Sequence, residues 1–137
     1  MTIKEAIQEL RSLKEPVPRP RRLPTAAEVQ AAERRLGWEF PPDYRRYLLE
    51  ASDVSFGGLE PAVVTPDGGH LHLVEMAESA WSEMELPRDL LPICEDNADY
   101  FCLNSESEVV YWSHNGAVDE RWPDLASWID EVWIQGG

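Results

Sequence analysis

The sequence predicts an α+β fold: a mostly antiparallel β-sheet of about four to six strands, flanked by helices. Two observations lead to this prediction. Helical patterns occupy residues 3–13, 25–51 and 125–133, whereas the segment between residues 51 and 125 alternates short apolar runs with turn signals. Because short runs joined by tight turns pair as hairpins, we expect an antiparallel sheet with the helices covering it.

The chain begins with a pattern typical of a short amphipathic helix, since Ile3, Ile7, Leu10 and Leu13 recur at helical spacing. Residues 16–24, PVPRPRRLP, then favour an extended connector, the alternative being a proline-rich ligand for an aromatic groove. We therefore divide the chain into an N-terminal helix with its connector, residues 1–24, and one domain, residues 25–137. The pattern leaves open whether the first helix packs on that domain.

A second helix is predicted from Thr25 and Glu28, whose spacing forms a capping box, to Gly37, which provides a left-handed stop. Its apolar stripe consists of Ala26, Val29, Ala32 and Leu36. A third helix opens at Pro41-Pro42-Asp43, because proline needs no amide donor in the first turn and an acidic group favours that end. Its buried face consists of Tyr44, Tyr47, Leu48 and Ala51.

The middle of the chain predicts hairpin-linked strands. Residues 62–65 and 70–74 indicate two strands joined by a turn at 66–69, and a short helix is predicted within 78–86. Further strands are predicted at 90–94, 100–103 and 109–112, and Asn115-Gly116 is typical of a tight turn. The last helix is indicated by an apolar face with i, i+3, i+4 spacing: Leu125, Trp128, Ile129, Val132 and Trp133.

Charge is the strongest compositional signal. The 137 residues carry a formal net charge of −14, and ten of the twelve basic residues lie within residues 1–46. The remaining part holds 19 acidic residues against Arg88 and Arg121. A surface of this kind repels nucleic acid and attracts a basic protein, although acidity for solubility alone would produce the same composition.

Several classes of protein are disfavoured by what the sequence lacks. The first 15 residues do not follow the pattern of a secretory signal, and no apolar run is long enough to span a bilayer. Two cysteines in such a chain are typical of reduced thiols in a cytoplasmic protein. We expect a cytoplasmic protein without membrane or direct nucleic-acid contacts, monomeric or weakly homodimeric.

An acidic segment, Glu95-Asp96-Asn97-Ala98-Asp99, separates two short apolar runs that each contain a cysteine. It does not have the alternating oxygen ligands of a calcium loop. With Glu106 and Glu108 in the next turn, Glu95, Asp96 and Asp99 would place five carboxylates in one edge region of the sheet. Such crowding favours a surface for a cationic partner, the alternative being a solvated loop.

A second candidate surface surrounds Trp81. An aromatic anchor next to the carboxylates Glu83, Glu85 and Asp89 would suit an interface core with a charged rim.

Catalytic and metal sites find little support in the residue pattern. His70 and His72 would lie on one face of a predicted strand with Glu75 nearby, which leaves a zinc-dependent hydrolase as an alternative without a clear third ligand. Cys94 and Cys102 lie among apolar residues, as inert thiols do. We therefore predict no catalytic residue, no metal and no cofactor.

The chain also resembles a known family. Residues 33–48, ERRLGWEFPPDYRRYL, are similar to the E-x-x-L-G-x-x-L-P-x-D-Y-x-x-F-L signature of the SUKH superfamily. That superfamily groups bacterial immunity proteins with fungal cell-wall-synthesis regulators of the Smi/Knr type. Residues 93–104, 109–114 and 125–129 resemble three later family segments in the same order, so the resemblance extends from about residue 25 to 133. Departures include Phe40 and Tyr47 in place of leucine and phenylalanine, and Asn97-Ala98 where relatives commonly carry glycines.

The resemblance implies a SUKH-like α+β domain without enzymatic activity. Bacterial members bind and neutralise a cognate toxin of a polymorphic toxin system, which leads us to expect a basic, nuclease-type toxin domain as partner. The alternative within the same fold is a regulatory or scaffold module with a non-toxin partner. At matched positions the implied roles are structural, and these are Leu36, Gly37, Pro41, Asp43, Tyr44, Leu48 and Trp128.

Overall fold

The computed structural model describes residues 1–136 and confirms the α+β prediction. Five helices and four strands follow one another, the strands in one antiparallel sheet of order β1-β2-β3-β4. The helices are α1 (Ile3–Leu13), α2 (Ala26–Leu36), α3 (Pro42–Ala51), α4 (Leu73–Glu83) and α5 (Leu125–Trp128). The strands are β1 (Leu91–Asp96), β2 (Asp99–Leu103), β3 (Val109–Ser113) and β4 (Gly116–Trp122).

Helix α1 packs into the domain. Ala6, Ile7 and Leu10 are buried, and the helix contacts α3 and α5. Its basic end is held by Asp53, whose carboxylate lies 2.8 Å from Arg11 Nη1 and 3.0 Å from Lys14 Nζ. The N-terminal helix is therefore part of the hydrophobic core.

Helix α2 begins and ends at the capping residues that the sequence indicates, and helix α3 begins at the predicted prolines. Thr25 and Glu28 form the predicted capping box, and Gly37 ends α2 with φ +68°, the left-handed region where a side chain is strained. Pro41 occupies the N-cap of α3 and Asp43 its first turn. Leu36, Tyr44, Leu48 and Trp128 are all buried.

The predicted strands at 62–65 and 70–74 are wrong. Residues 66–71 form a 3₁₀ helix (Pro66–Leu71), and α4 begins directly afterwards. His72 caps α4, its Nδ1 accepting a hydrogen bond from the Val74 amide at 3.2 Å. Of the predicted pairing, a single parallel bridge between Val63 and His72 is described.

The sheet meanders through two-residue turns at one end. Asn97 and Ala98 join β1 to β2, both with positive φ (51° and 72°), as a type I′ turn requires. The turn between β3 and β4 lies at His114-Asn115, one residue before the predicted Asn115-Gly116, because Ser113 pairs with Gly116.

Aromatic packing joins the last helix to the sheet. The rings of Phe101 and Trp128 lie 5.3 Å apart, and Phe101 also contacts Tyr111 and Trp122. Beyond α5 the chain continues as a π-helical segment, Ile129–Ile134. Within that segment Trp133 is buried, and its indole Nε1 donates a hydrogen bond of 3.0 Å to the Phe56 carbonyl.

Candidate protein-interaction surface

The segment from α4 to β4 carries most of the unbalanced negative charge. Residues 73–122 contain twelve acidic residues and two basic ones, Arg88 and Arg121. By contrast, six of the ten basic residues in 1–46 form ion pairs within the chain: Arg11, Lys14, Arg22, Arg35, Arg45 and Arg46. Five of these ion pairs lie outside residues 73–122, and the sixth joins Arg35 to Glu78, so residues 73–122 keep a large excess of acidic side chains.

One end of the sheet holds a hydrogen-bonded group that we call the turn cluster: Asp96, Asp99, Tyr111 and His114. The Tyr111 hydroxyl lies 3.1 Å from Asp96 Oδ2 and 3.2 Å from Asp99 Oδ2. Asp99 Oδ1 accepts from the His114 amide at 3.3 Å and lies 2.9 Å from His114 Nδ1. The β1–β2 and β3–β4 turns bring these residues together, because both turns lie at the same end of the sheet.

The turn cluster shifts the pKa values of two of its members. Desolvation alone would raise the pKa of Asp99, but hydrogen bonds from His114 and Tyr111 outweigh it and lower that pKa. Burial, followed by the contacts with Asp96 and Asp99, raises the pKa of the Tyr111 hydroxyl. Asp96 and Asp99 are thus partly satisfied within the chain, while the Glu95 side chain is exposed.

Glu106 and Glu108 lie at the opposite end of the sheet, which corrects the prediction of one region with five carboxylates. Strand β2 separates the two turns. Asp99 is the first residue of this strand, and Glu106 lies in the turn after its last residue. Asn104 organises this second turn: its Oδ1 accepts from the Glu106 and Glu108 amides at 3.0 and 2.9 Å. The Glu108 carboxylate in turn accepts from Asn104 Nδ2 and pairs with Arg121 at 3.3 Å.

Trp81 is not an exposed anchor. Its side chain is 8% exposed, its Nε1 donates to the Leu90 carbonyl at 2.9 Å, and the Arg88 guanidinium lies 5.2 Å from the ring centroid. Glu83 accepts from the Ser79 hydroxyl, and Glu85 is exposed with φ 60°. The carboxylates predicted around Trp81 are therefore present on the surface, but the indole they were expected to surround belongs to the core.

The sequence did not indicate a groove on the outer face of the sheet, which we call the outer groove. Because side chains alternate along strands, Phe101 and Tyr111 face α5, while Tyr100 and Trp112 face the other way. Helix α4 contacts β1. Outside the contact between α4 and β1, a cavity of about 370 Å³ is lined by four half-buried side chains: Leu90, Val110, Trp112 and Val118.

The structure shows the surroundings of His72, Cys94 and Cys102, which were considered for catalysis. His72 serves as the cap of α4, and within residues 1–136 no group of three or more histidine, cysteine or acidic side chains is placed to hold a metal ion. Burial, aided by the Asp96 charge, raises the pKa of Cys94 to about 12, and burial also raises the pKa of Cys102. No helix in the described part of the chain is long and apolar enough to cross a bilayer.

Comparisons with known proteins support the resemblance noted from the sequence. The comparison with curated proteins returned no match. A solved structure, described as the crystal structure of a protein from Pseudomonas syringae pv. tomato, is similar with a TM-score of 0.90 and 36% identity, covering 96% of this chain and 98% of that one. The family model SUKH_5, described as SMI1-KNR4 cell-wall, matches residues 3–134. This match includes helix α1, and the chain belongs to that family.

Proposed function

We propose that this chain is a non-enzymatic immunity protein, which neutralises a cognate bacterial toxin by covering its active site with the acidic surface of residues 73–122. The expected partner is a basic, nuclease-type toxin domain, because the active-site cleft of an enzyme that acts on nucleic acid is positively charged. Membership of the SUKH superfamily supports a protein partner in general, and the choice of a toxin is our inference from it.

The observation that carries this proposal is the separation of charge. In residues 73–122, only two basic residues accompany twelve acidic ones, so the acidic groups repel one another. A basic partner relieves that repulsion and is steered towards the surface during encounter. Glu95, Asp89 and Glu106 are exposed and are suited to such steering.

The absence of catalysis is part of the proposal. Both cysteines are buried thiols with raised pKa values, so neither is a ready nucleophile. His114, the histidine in the turn cluster, lies against Asp99, and within residues 1–136 its hydrogen-bond partners include no candidate nucleophile.

The experiment that tests the proposal uses the toxin retained when the full chain is purified from its native host. We expect the pure chain to inhibit that toxin at equimolar ratio. The double variant Glu95→Lys with Glu106→Lys should associate several-fold more slowly, and raised salt should have the same effect on the unmodified chain. The double variant Glu9→Lys with Glu131→Lys, at two exposed positions outside residues 73–122, is the matched control and should change the rate little.

Two results would contradict the proposal. Association rates that are equal for the double variant and the unmodified chain would remove the acidic surface from the interface. If the chain binds a cellular partner stably but inhibits no toxin, the immunity role is excluded.

A second candidate is a regulatory or scaffold module with a non-toxin partner. The description of the matching family, SMI1-KNR4 cell-wall, favours it. Gene neighbourhood distinguishes the two, because an adjacent reading frame that ends in a toxin-like domain is expected for an immunity protein and not for a regulator.

A further inference from the structure

We propose that the outer groove binds an arginine side chain presented by the partner protein. This inference rests on the proposed function in so far as it requires a basic protein partner, and it names the place where that partner is anchored. The groove lies between residues 89–90, the β2–β3 turn and the outer face of β3 and β4.

The apolar part of the groove suits the stem of a long side chain. Leu90, Val110 and Val118 are half-buried, and Trp112 presents part of an indole beside them. An arginine side chain has an apolar stem that packs on such a surface and a planar head that stacks on aromatic rings. A cavity of about 370 Å³ is large enough for one side chain and too small for a folded element.

The charged part of the groove suits the guanidinium head. Asp89 and Glu106 line it, and within residues 1–136 their carboxylates take part in no hydrogen bond or ion pair. The Glu106 position is fixed by the hydrogen bond of its amide to Asn104 Oδ1 at 3.0 Å. Two carboxylates that make no ion pair within residues 1–136, in a lining that also includes Trp112, complement a cation with several donors.

The chain already places one guanidinium at the lining of this groove. Arg121 lines it and pairs with Glu108 at 3.3 Å. Close by, the Arg88 guanidinium lies over the Trp81 ring at 5.2 Å, which is the cation–π arrangement that we infer for a partner arginine on Trp112. Arg121 would repel the incoming arginine and already occupies the Glu108 carboxylate in the same lining, so its removal should strengthen binding.

The opposite end of the sheet is a poorer place for the same anchor. In the turn cluster, Asp96 and Asp99 already accept hydrogen bonds from Tyr111, and Asp99 also contacts His114. A partner cation there would have to replace bonds that exist, whereas Asp89 and Glu106 have none to lose.

The test is a titration of the 137-residue chain with a capped tetra-arginine peptide, followed by NMR through the indole N–H and backbone amide signals. The Trp112 signal is assigned by its loss in Trp112→Phe. We expect it to shift saturably, with Kd raised about threefold or more in Glu106→Gln and in Trp112→Ala. Arg121→Gln should lower Kd, and Glu9→Gln, at an exposed carboxylate on α1, should leave it nearly unchanged. A tetra-citrulline peptide, which lacks the charge, should not bind.

The inference is overturned if Glu106→Gln and Arg121→Gln both bind tetra-arginine as the unmodified chain does, or if the peptide shifts signals of the turn cluster instead. These two variants change exposed side chains, so the test stands even if Trp112→Ala does not fold. Toxin inhibition is measured separately on the same variants. Arginine binding without inhibition of any toxin counts against the proposed function alone, while inhibition unaffected by loss of arginine binding counts against the groove alone.

Discussion

The hydroxyl of Tyr111 lies between the carboxylates of Asp96 and Asp99, 3.1 and 3.2 Å from their nearest oxygens. A hydroxyl has one proton to donate, so it serves one carboxylate at a time while His114 supports Asp99 from the other side. The hairpin end of the sheet is therefore held by side chains from three strands, β1, β2 and β3.

Removing this hydroxyl tests its contribution to stability. We expect Tyr111→Phe to lower the free energy of unfolding by about 1 kcal/mol, because the two carboxylates lose their shared donor. Urea unfolding at neutral pH measures it. In the Asp96→Asn, Asp99→Asn background the same change should cost less, and an equal cost in both backgrounds would show that the aspartates do not depend on the hydroxyl.

Asp53 should govern part of the acid stability. Burial alone would raise its pKa, but hydrogen bonds from Arg11 and Lys14 outweigh burial and lower it. Since the folded-state pKa lies below the unfolded one, the stabilisation is complete above the unfolded value, about 3.9, and is lost as the pH falls through the folded value.

We therefore expect Asp53→Asn to cost about 2 kcal/mol at pH 7 and to flatten the decline of stability below about pH 4. Urea unfolding between pH 2 and 7 provides the measurement. Glu39→Gln, at an exposed carboxylate, is the control and should keep the acid decline of the unmodified chain. If the stability of Asp53→Asn declined with acid as steeply as that of the unmodified chain, the acid sensitivity would belong to other titrating groups.

The β1–β2 turn should be stabilised by glycine. Ala98 has φ 72°, a left-handed conformation in which its Cβ is strained. We expect Ala98→Gly to raise the free energy of unfolding by about 1 kcal/mol. Ala31→Gly, at an exposed position in α2, should instead lower it by about 1 kcal/mol, because glycine is unfavourable within a helix. Destabilisation by both changes would mean that the turn is not of this type.

The cysteines should react only after unfolding. Both thiols are buried, and the pKa of Cys94 is raised to about 12, chiefly by burial. At pH 8 we expect a thiol reagent to label neither cysteine in the native chain and both in guanidinium chloride. Rapid labelling of the native chain would require an opening of the β1–β2 pair that the structure does not show.

The sequence predicted the helices best where caps and periodicity agree. Thr25, Glu28 and Gly37 each place an end of α2 through local chemistry, so no knowledge of the rest of the fold is needed. The segment at 70–74 was misassigned because its leucines alternate like those of a strand. The apolar residues after it continue at helical spacing, and His72 acts as a cap, a role for which histidine is not a common signal.

Strand β4 and the outer groove were missed for related reasons. Asp119, Glu120 and Arg121 interrupt the apolar pattern of β4, and the register there is irregular. The groove exists because helix α4 covers only part of the outer face of the sheet. A single sequence does not show which part of that face a helix leaves uncovered. The wrong grouping of the carboxylates was avoidable, however, since successive turns of a meander always lie at opposite ends of the strand between them.

Residues 55–57 form hydrogen bonds with one residue from the N-terminal part of the chain, Glu15, and one from the C-terminal part, Trp133. Glu15 donates its amide to Ser55 O and accepts from the Gly57 amide, and Trp133 donates to Phe56 O. With α1 also buried against α3, a protease cut within residues 16–24 would sever the polypeptide without releasing its first helix. The nicked molecule should migrate as one species in gel filtration and as two on a denaturing gel, and the two fragments, expressed apart, should reassemble when mixed.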